Sequence, residues 1–186
     1  MVARPQAAWL PALLPPRTCR DPILSLVTAL LIAGLPGAGK SHFCRWLAEH
    51  HDFAHVETDR DPVINGLAAP DTHAVLSAVA AVKGRAAAVV LEWGFRPVFL
   101  PQVRTVIGAG FVPWWFGGSE AAARGSYRQR VGGDRGAMQA FETQLSAIQA
   151  NWASIAEVFA GRILPAVDLG PTYTPPDEIY KLITEP

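Results

Sequence analysis

Lys40 and Ser41 close an eight-residue run, Gly34-Leu35-Pro36-Gly37-Ala38-Gly39-Lys40-Ser41. It matches the G-x-x-x-x-G-K-[ST] spacing of a phosphate-binding loop at every fixed position. The residue types fit the chemistry. Glycines let successive backbone N–H groups curl around an anion where side chains would block the approach. A helix N-terminus behind the loop adds partial positive charge. Lys40 reaches the outer phosphates of a nucleotide, and the Ser41 hydroxyl can ligate Mg2+. The candidate nucleotide contacts run from Gly34 through Ser41 to His42. No G-x-G-x-x-G can be placed on these glycines, so a dinucleotide fingerprint is excluded.

Two acids are candidates for the chemistry at the transferred group. Glu57-Thr58-Asp59-Arg60-Asp61-Pro62 follows an apolar segment that reads as a strand. Carboxyl ends of parallel strands line the ligand crevice, so Asp59 is expected beside the loop. It could accept a proton from an attacking hydroxyl, and Arg60 could hold a substrate oxygen. Asp61, just before Pro62, suits a helix N-cap. The run Val89-Val90-Leu91-Glu92-Trp93-Gly94-Phe95-Arg96 ends a second buried strand in an acid. Glu92 at that place holds Mg2+ or positions a nucleophile, and it rivals Asp59 as base. Trp93 is expected at the acceptor site. Arg124 and Arg128 lie four apart on one predicted helix and so share a face. With Arg130, Arg135 and the Gly132-Gly133 break, they suit a closing lid that neutralises charge and excludes water. A solvated arginine face is the plainer alternative.

The elements that must position these residues alternate. Strands are predicted at about 28–33, 53–58, 86–92, 111–116 and 162–168, and helices fall between them. That pattern points to a parallel sheet covered on both faces. Trp114 and Trp115 should point to opposite faces. Asp71 and Ser119 read as helix caps, and Thr174-Pro175-Pro176-Asp177 as a capping box. A long helix is predicted over about 137–160. Its stripe of Met138, Phe141, Leu145, Ile148, Trp152, Ile155 and Phe159 is spaced alternately three and four. The stripe reads first as a core-facing surface and second as the seam of a homodimer.

The chain has 186 residues, half of them hydrophobic, with sixteen Lys plus Arg against sixteen Asp plus Glu. One substantial globular core is expected. Neutral net charge argues against a general nucleic-acid surface. Residues 1–22 carry Pro5, Pro11, Pro15, Pro16 and Pro22 and read as a tail, with the globular domain over 23–186. The apolar run Ile23 to Ala33 is too short to span a bilayer, and a signal-peptide cleavage there would destroy the loop. Cys19 and Cys44 form no disulfide framework. A cytoplasmic, reducing location is the expectation, and Cys44 should be a small buried residue.

Loop, acid after the second strand, Glu-Trp-Gly-Phe turn after the third, and arginine-rich segment after the fourth together resemble the small P-loop kinases of the AAA-type predicted kinase group. The arrangement is similar, more distantly, to polynucleotide kinase, gluconate kinase, chloramphenicol phosphotransferase and zeta toxins. The resemblance covers about Thr28 to Ile183. It implies a P-loop NTPase three-layer sandwich with a five-stranded parallel sheet in the order 2-3-1-4-5 and a helical lid at about 119–136. It further implies an ATP- and Mg2+-dependent kinase acting on a hydroxyl of a small molecule such as a sugar, nucleoside or antibiotic. Asp59 then matches the hydroxyl-activating acid, Arg124 and Arg128 match the lid arginines, and 170–174 flank the adenine. A kinase of RNA or DNA ends and a non-catalytic nucleotide switch are the alternatives.

Overall fold

Ala29–Gly34, the strand that feeds the loop, is buried at every residue, so apolar side chains must cover both of its faces. In the computed structural model, which describes residues 29–59, 71–167 and 173–184, this strand (β1) sits at the centre of the sheet. The others are β2 (Phe53–Glu57), β3 (Ala88–Glu92), β4 (Val112–Gly118) and β5 (Ile163–Val167). All pairings between them are parallel, and the order is β2-β3-β1-β4-β5. This is the strand order expected from the sequence. The tail over 1–22 and the residues Arg60, Asp61, Pro62 and Gly170 lie outside the described residues.

Seven α-helices among the described residues connect or flank the strands. They are α1 (Lys40–His50), α2 (Thr72–Lys83), α3 (Leu100–Gly108), α4 (Glu120–Arg130), α5 (Arg135–Ala150), α6 (Trp152–Val158) and α7 (Pro176–Thr184). A 3-10 turn over Pro97–Phe99 leads into α3. Local chemistry starts several of them. The Asp71 carboxylate accepts from the His73 N–H, the Ser119 hydroxyl from the Ala122 N–H, and Asp134 from the Ala137 N–H. Each satisfies an N–H that the first helical turn leaves without a partner.

Two expectations are corrected. The helix predicted over 137–160 is two helices that break at Asn151. The Asn151 side chain donates to the Ala147 carbonyl at 2.8 Å, competing with helix continuation. Thr174 does not cap α7. Its hydroxyl donates instead to the Pro165 carbonyl at 2.9 Å, tying the segment to β5.

The stripe on α5 and α6 lies inside the protomer. Phe141, Leu145, Ile148, Ile155 and Phe159 are all buried, Met138 is half-buried, and Trp152 sits at the rim. The core-facing reading therefore describes it, and the stripe is not an open seam. Phe159 meets Trp115 edge-on at 5.4 Å and Phe95 at 6.3 Å between ring centroids. Trp115 is buried and Trp114 is half-buried against the core, so both faces of β4 are covered.

Phe159→Ala should therefore cost about 3–5 kcal/mol of unfolding free energy, as for other buried aromatics. Trp152→Ala, at a residue 41% exposed, should cost less than half as much. Urea unfolding of both variants checks this, and equal losses would contradict the packing described.

Candidate active site

The carboxyl ends of β1 and β3 are neighbours, and the register aligns Ile32 with Glu92. Ligands in such sheets bind beyond the carboxyl ends of the strands. Here the loop after β1 turns back over that edge. The Leu35 N–H donates to the Phe116 carbonyl, fastening the loop to β4. The N–H groups of Ala38, His42 and Phe43 are used by loop and helix carbonyls. Those of Gly37, Gly39, Lys40 and Ser41 have no backbone partner among the described residues. Successive free N–H groups at a helix N-terminus make an anion-binding nest.

Lys40 is folded into this nest. Its ammonium donates to the Leu35 carbonyl at 2.9 Å and to the Gly34 carbonyl at 3.3 Å. Burial pulls it below the usual lysine range, Glu92 and Asp59 oppose that shift, and Arg130 adds to it. A buried lysine bonded to two carbonyls gains from an anion placed beside it.

Glu92 ends β3 behind the loop and is buried. One carboxylate oxygen accepts from the Ser41 hydroxyl at 2.5 Å, and the other accepts from His55 Nε2 at 3.0 Å. Burial alone would raise its pKa. The bonds from His55 and Ser41 and the charge of Lys40 outweigh burial and hold it below the usual range. Glu92 is thus a carboxylate, and His55 Nε2 carries the hydrogen between them. Ser41 lines the loop side of the cleft, and its hydroxyl links it to the buried Glu92 oxygen behind it. That all-oxygen pair suits a hard cation such as Mg2+, which binds through few protein oxygens beside phosphate. His55 was missed in the sequence. It lies in a strand with no motif around it; the register of β2 against β3 sets it opposite Val90, from where its ring reaches Glu92 diagonally on the same face.

Asp59 emerges exposed, two residues past β2, and its carboxylate lies against Gly94. A Cβ on Gly94 would collide with both Asp59 oxygens. The glycine therefore gives the carboxylate its place, a reason for the Trp93-Gly94 pair that the sequence reading lacked. Trp93, expected at the acceptor site, turns its ring inward. It is 1% exposed and packs on Phe99 in the core.

The arginines divide between the two sides of α4. Arg124 makes a bidentate pair with Glu142 of α5, at 2.7 and 3.0 Å. That bond holds the Glu142 carboxyl below its usual range. Arg128 lies one turn further along the same side and adds its charge near Glu142. Neither is among the residues that line the cleft, where both were expected to face the phosphates. Ser126 and Arg130, also four apart, line it instead. Arg130 stands over the Tyr127 ring at 4.7 Å, which steadies its stem. The helix α4 rests on the loop itself. A Cβ at Gly37 would strike the Ala123 carbonyl oxygen, so only glycine admits this contact.

A cleft of about 420 Å3 opens over the loop. Gly37, Gly39, Lys40, Ser41, His42 and Arg45 form one side, Ser126 and Arg130 another, and Tyr173 to Pro176 the third. Its size and mixed lining are those of a small-ligand site. The Tyr173 hydroxyl donates to the Gly37 carbonyl at 3.0 Å, and its ring lies against Gly39.

No protein-family model matches the chain, and no curated protein sequence matches it. Among solved structures, the chain is similar to a gluconokinase from Sinorhizobium meliloti 1021, at 20% identity and a TM-score of 0.54. The match covers 86% of this chain and 91% of that one. It shows the P-loop kinase fold. Among the described residues, no helix is long and apolar enough to cross a membrane.

The split of the arginines predicts a split of effects. Arg124→Ala should lower the thermal midpoint and leave ATP affinity near that of the parent. Arg130→Ala should weaken ATP binding with little change in midpoint. Calorimetric titration and thermal unfolding of both variants check this. Equal loss of affinity in the two would put both arginines on the ligand.

Proposed function

We propose that the protein is an ATP-dependent kinase of the P-loop type that transfers the terminal phosphoryl group to a hydroxyl of a small molecule. The observation that carries this reading is the bond between Ser41 and Glu92 behind the nest, with Lys40 inside the nest and Asp59 near enough to act on its charge. A nucleotide switch would need the first three and have no use for a carboxylate placed against Gly94.

Each side chain then has one task. The free N–H groups of the loop and Lys40 hold the outer phosphates, and Arg130 neutralises charge from the α4 side. Mg2+ at Ser41 and Glu92 supplies charge neutralisation and orientation of the phosphates when bound. Glu92 is a poor base, because both of its oxygens already accept hydrogen bonds and its pKa is depressed. Asp59 is exposed, so it takes the proton of the acceptor hydroxyl. Catalysis is mainly positioning and electrostatics, with little covalent work for the protein. Tyr173 and the segment through Pro176 would flank the base and ribose, and Arg60 would meet the acceptor. The gluconokinase name of the structural neighbour points to a polyhydroxylated acceptor, such as a sugar or sugar acid. Neutral net charge favours such an acceptor over an RNA or DNA end. A reducing, cytoplasmic location suits ATP supply and the buried thiol of Cys44.

Transfer of label from terminally labelled ATP to pooled sugars, sugar acids, nucleosides, aminoglycosides and RNA oligonucleotides tests the reading. Label on a small molecule supports it, and label on RNA alone replaces it with the end-kinase reading. Asp59→Asn should reduce transfer by about 10²–10⁴-fold while ATP binding persists. Gly94→Ala, which displaces the Asp59 carboxylate at little cost to folding, should follow Asp59→Asn in direction. Lys40→Ala should fold normally and lose turnover by about 10²-fold or more, as when another charge-stabilising donor is removed. A Lys40→Ala protein that turns over ATP like the parent would remove the phosphate loop from the account.

A further inference from the structure

Three side chains from three elements converge behind the loop: the Cys44 thiol of α1, the His55 ring of β2 and the Glu92 carboxylate of β3. One sulfur, one imidazole nitrogen and one carboxylate oxygen all lie within 4.8 Å of one another. Cys44 has no task in phosphate chemistry, and it faces these partners from a fully buried position. Glu92 alone belongs to both this cluster and the Ser41 pair.

We propose that Cys44, His55 and Glu92 form a binding site for a borderline-soft divalent cation of the Zn2+ class, and that filling it draws negative charge from the carboxylate that Glu92 shares with Ser41 and so inhibits nucleotide turnover. The donor set selects the cation. Thiolate and imidazole are poor ligands for Mg2+ but good ones for Zn2+ and Co2+. Zn2+ bond lengths of about 2.0–2.3 Å put tetrahedral donors roughly 3–4 Å apart. The cluster therefore needs to contract by about 1 Å, within the reach of carboxylate and imidazole rotation. Three protein ligands leave a fourth position open for water.

The protons balance. The Cys44 thiol, which burial and the neighbouring Glu92 charge keep protonated, gives up one proton to solvent as the thiolate binds. The His55 ring binds through Nε2, its hydrogen moving to Nδ1. Glu92 is already ionised and changes only its partner. The cation enters from the side of His55, whose side chain is 14% exposed. The two cations then compete for one carboxylate, so each weakens the other's hold. Binding of the soft cation stands on this geometry alone, whereas inhibition rests on the kinase reading.

Titration of the 186-residue protein with Co2+ in the absence of nucleotide tests the site. One Co2+ per chain should give an intense near-ultraviolet band of thiolate-to-cobalt charge transfer, which Zn2+ abolishes. The band should vanish in Cys44→Ala, which keeps Cys19. His55→Gln, which still donates to Glu92, should weaken Co2+ binding by at least about 10-fold, the scale of losing even an outer-sphere partner. With excess Mg2+ and ATP, Zn2+ should inhibit the parent, and Cys44→Ala should retain turnover and resist Zn2+. Absence of the band, or a band that survives Cys44→Ala, overturns the site. A band with no ATP turnover leaves the site standing and defeats the kinase reading. Turnover without a band does the reverse. Equal Zn2+ inhibition of parent and Cys44→Ala overturns the proposed regulation.

Discussion

The bond from the Ser41 hydroxyl to the buried Glu92 carboxylate is the contact on which the site depends. A carboxylate 5% exposed is costly unless each oxygen is bonded. Glu92 meets that condition by joining α1 through Ser41 and β2 through His55. Three elements are thereby held at one atom group, at the carboxyl edge of the sheet. Removing either donor leaves a buried charge short of a partner, a larger loss than that of an ordinary surface hydrogen bond. The bond also fixes the Ser41 hydroxyl, which lines the cleft.

Around that point the loop is braced from three sides. β4 takes the Leu35 N–H, α4 lies against Gly37, and Tyr173 bonds the Gly37 carbonyl from the C-terminal segment. The glycines are therefore packing devices as much as anion cradles. Gly37 admits a helix, Gly39 admits an aromatic ring, and Gly94 admits a carboxylate. Rigid support of this kind is what charge-based catalysis asks of a protein, because donors already in place need no reorganisation.

Much of this was legible in residue order. The loop, the apolar strands and the caps at Asp71 and Ser119 rest on local chemistry, and local chemistry is written in neighbouring residues. The facing of side chains was harder to read. Arg124 and Arg128 formed the visible pair, yet the partner that claims Arg124, Glu142, is eighteen residues on and on another helix. Arg130 reaches the cleft because it lies on the other side of α4, and helical spacing alone cannot say which side meets the loop. Trp93 looked like a site residue because it follows Glu92. Beyond the strand, however, the chain turns its ring into the core and leaves Gly94 half-buried under the Asp59 carboxylate. His55 carried no sequence signal, since strand register alone makes it a neighbour of Glu92.

The central claim is that Ser41 and Glu92 together hold a divalent cation against a nucleotide in the loop. Calorimetric titration of ATP into the parent and into Ser41→Ala, each with saturating Mg2+ and again with a chelator, tests it most directly. The account predicts that Mg2+ strengthens ATP binding to the parent, that Ser41→Ala loses most of this gain, and that the two bind alike once Mg2+ is removed. An ATP affinity of the parent that is indifferent to Mg2+, or an equal gain in both proteins, would contradict it.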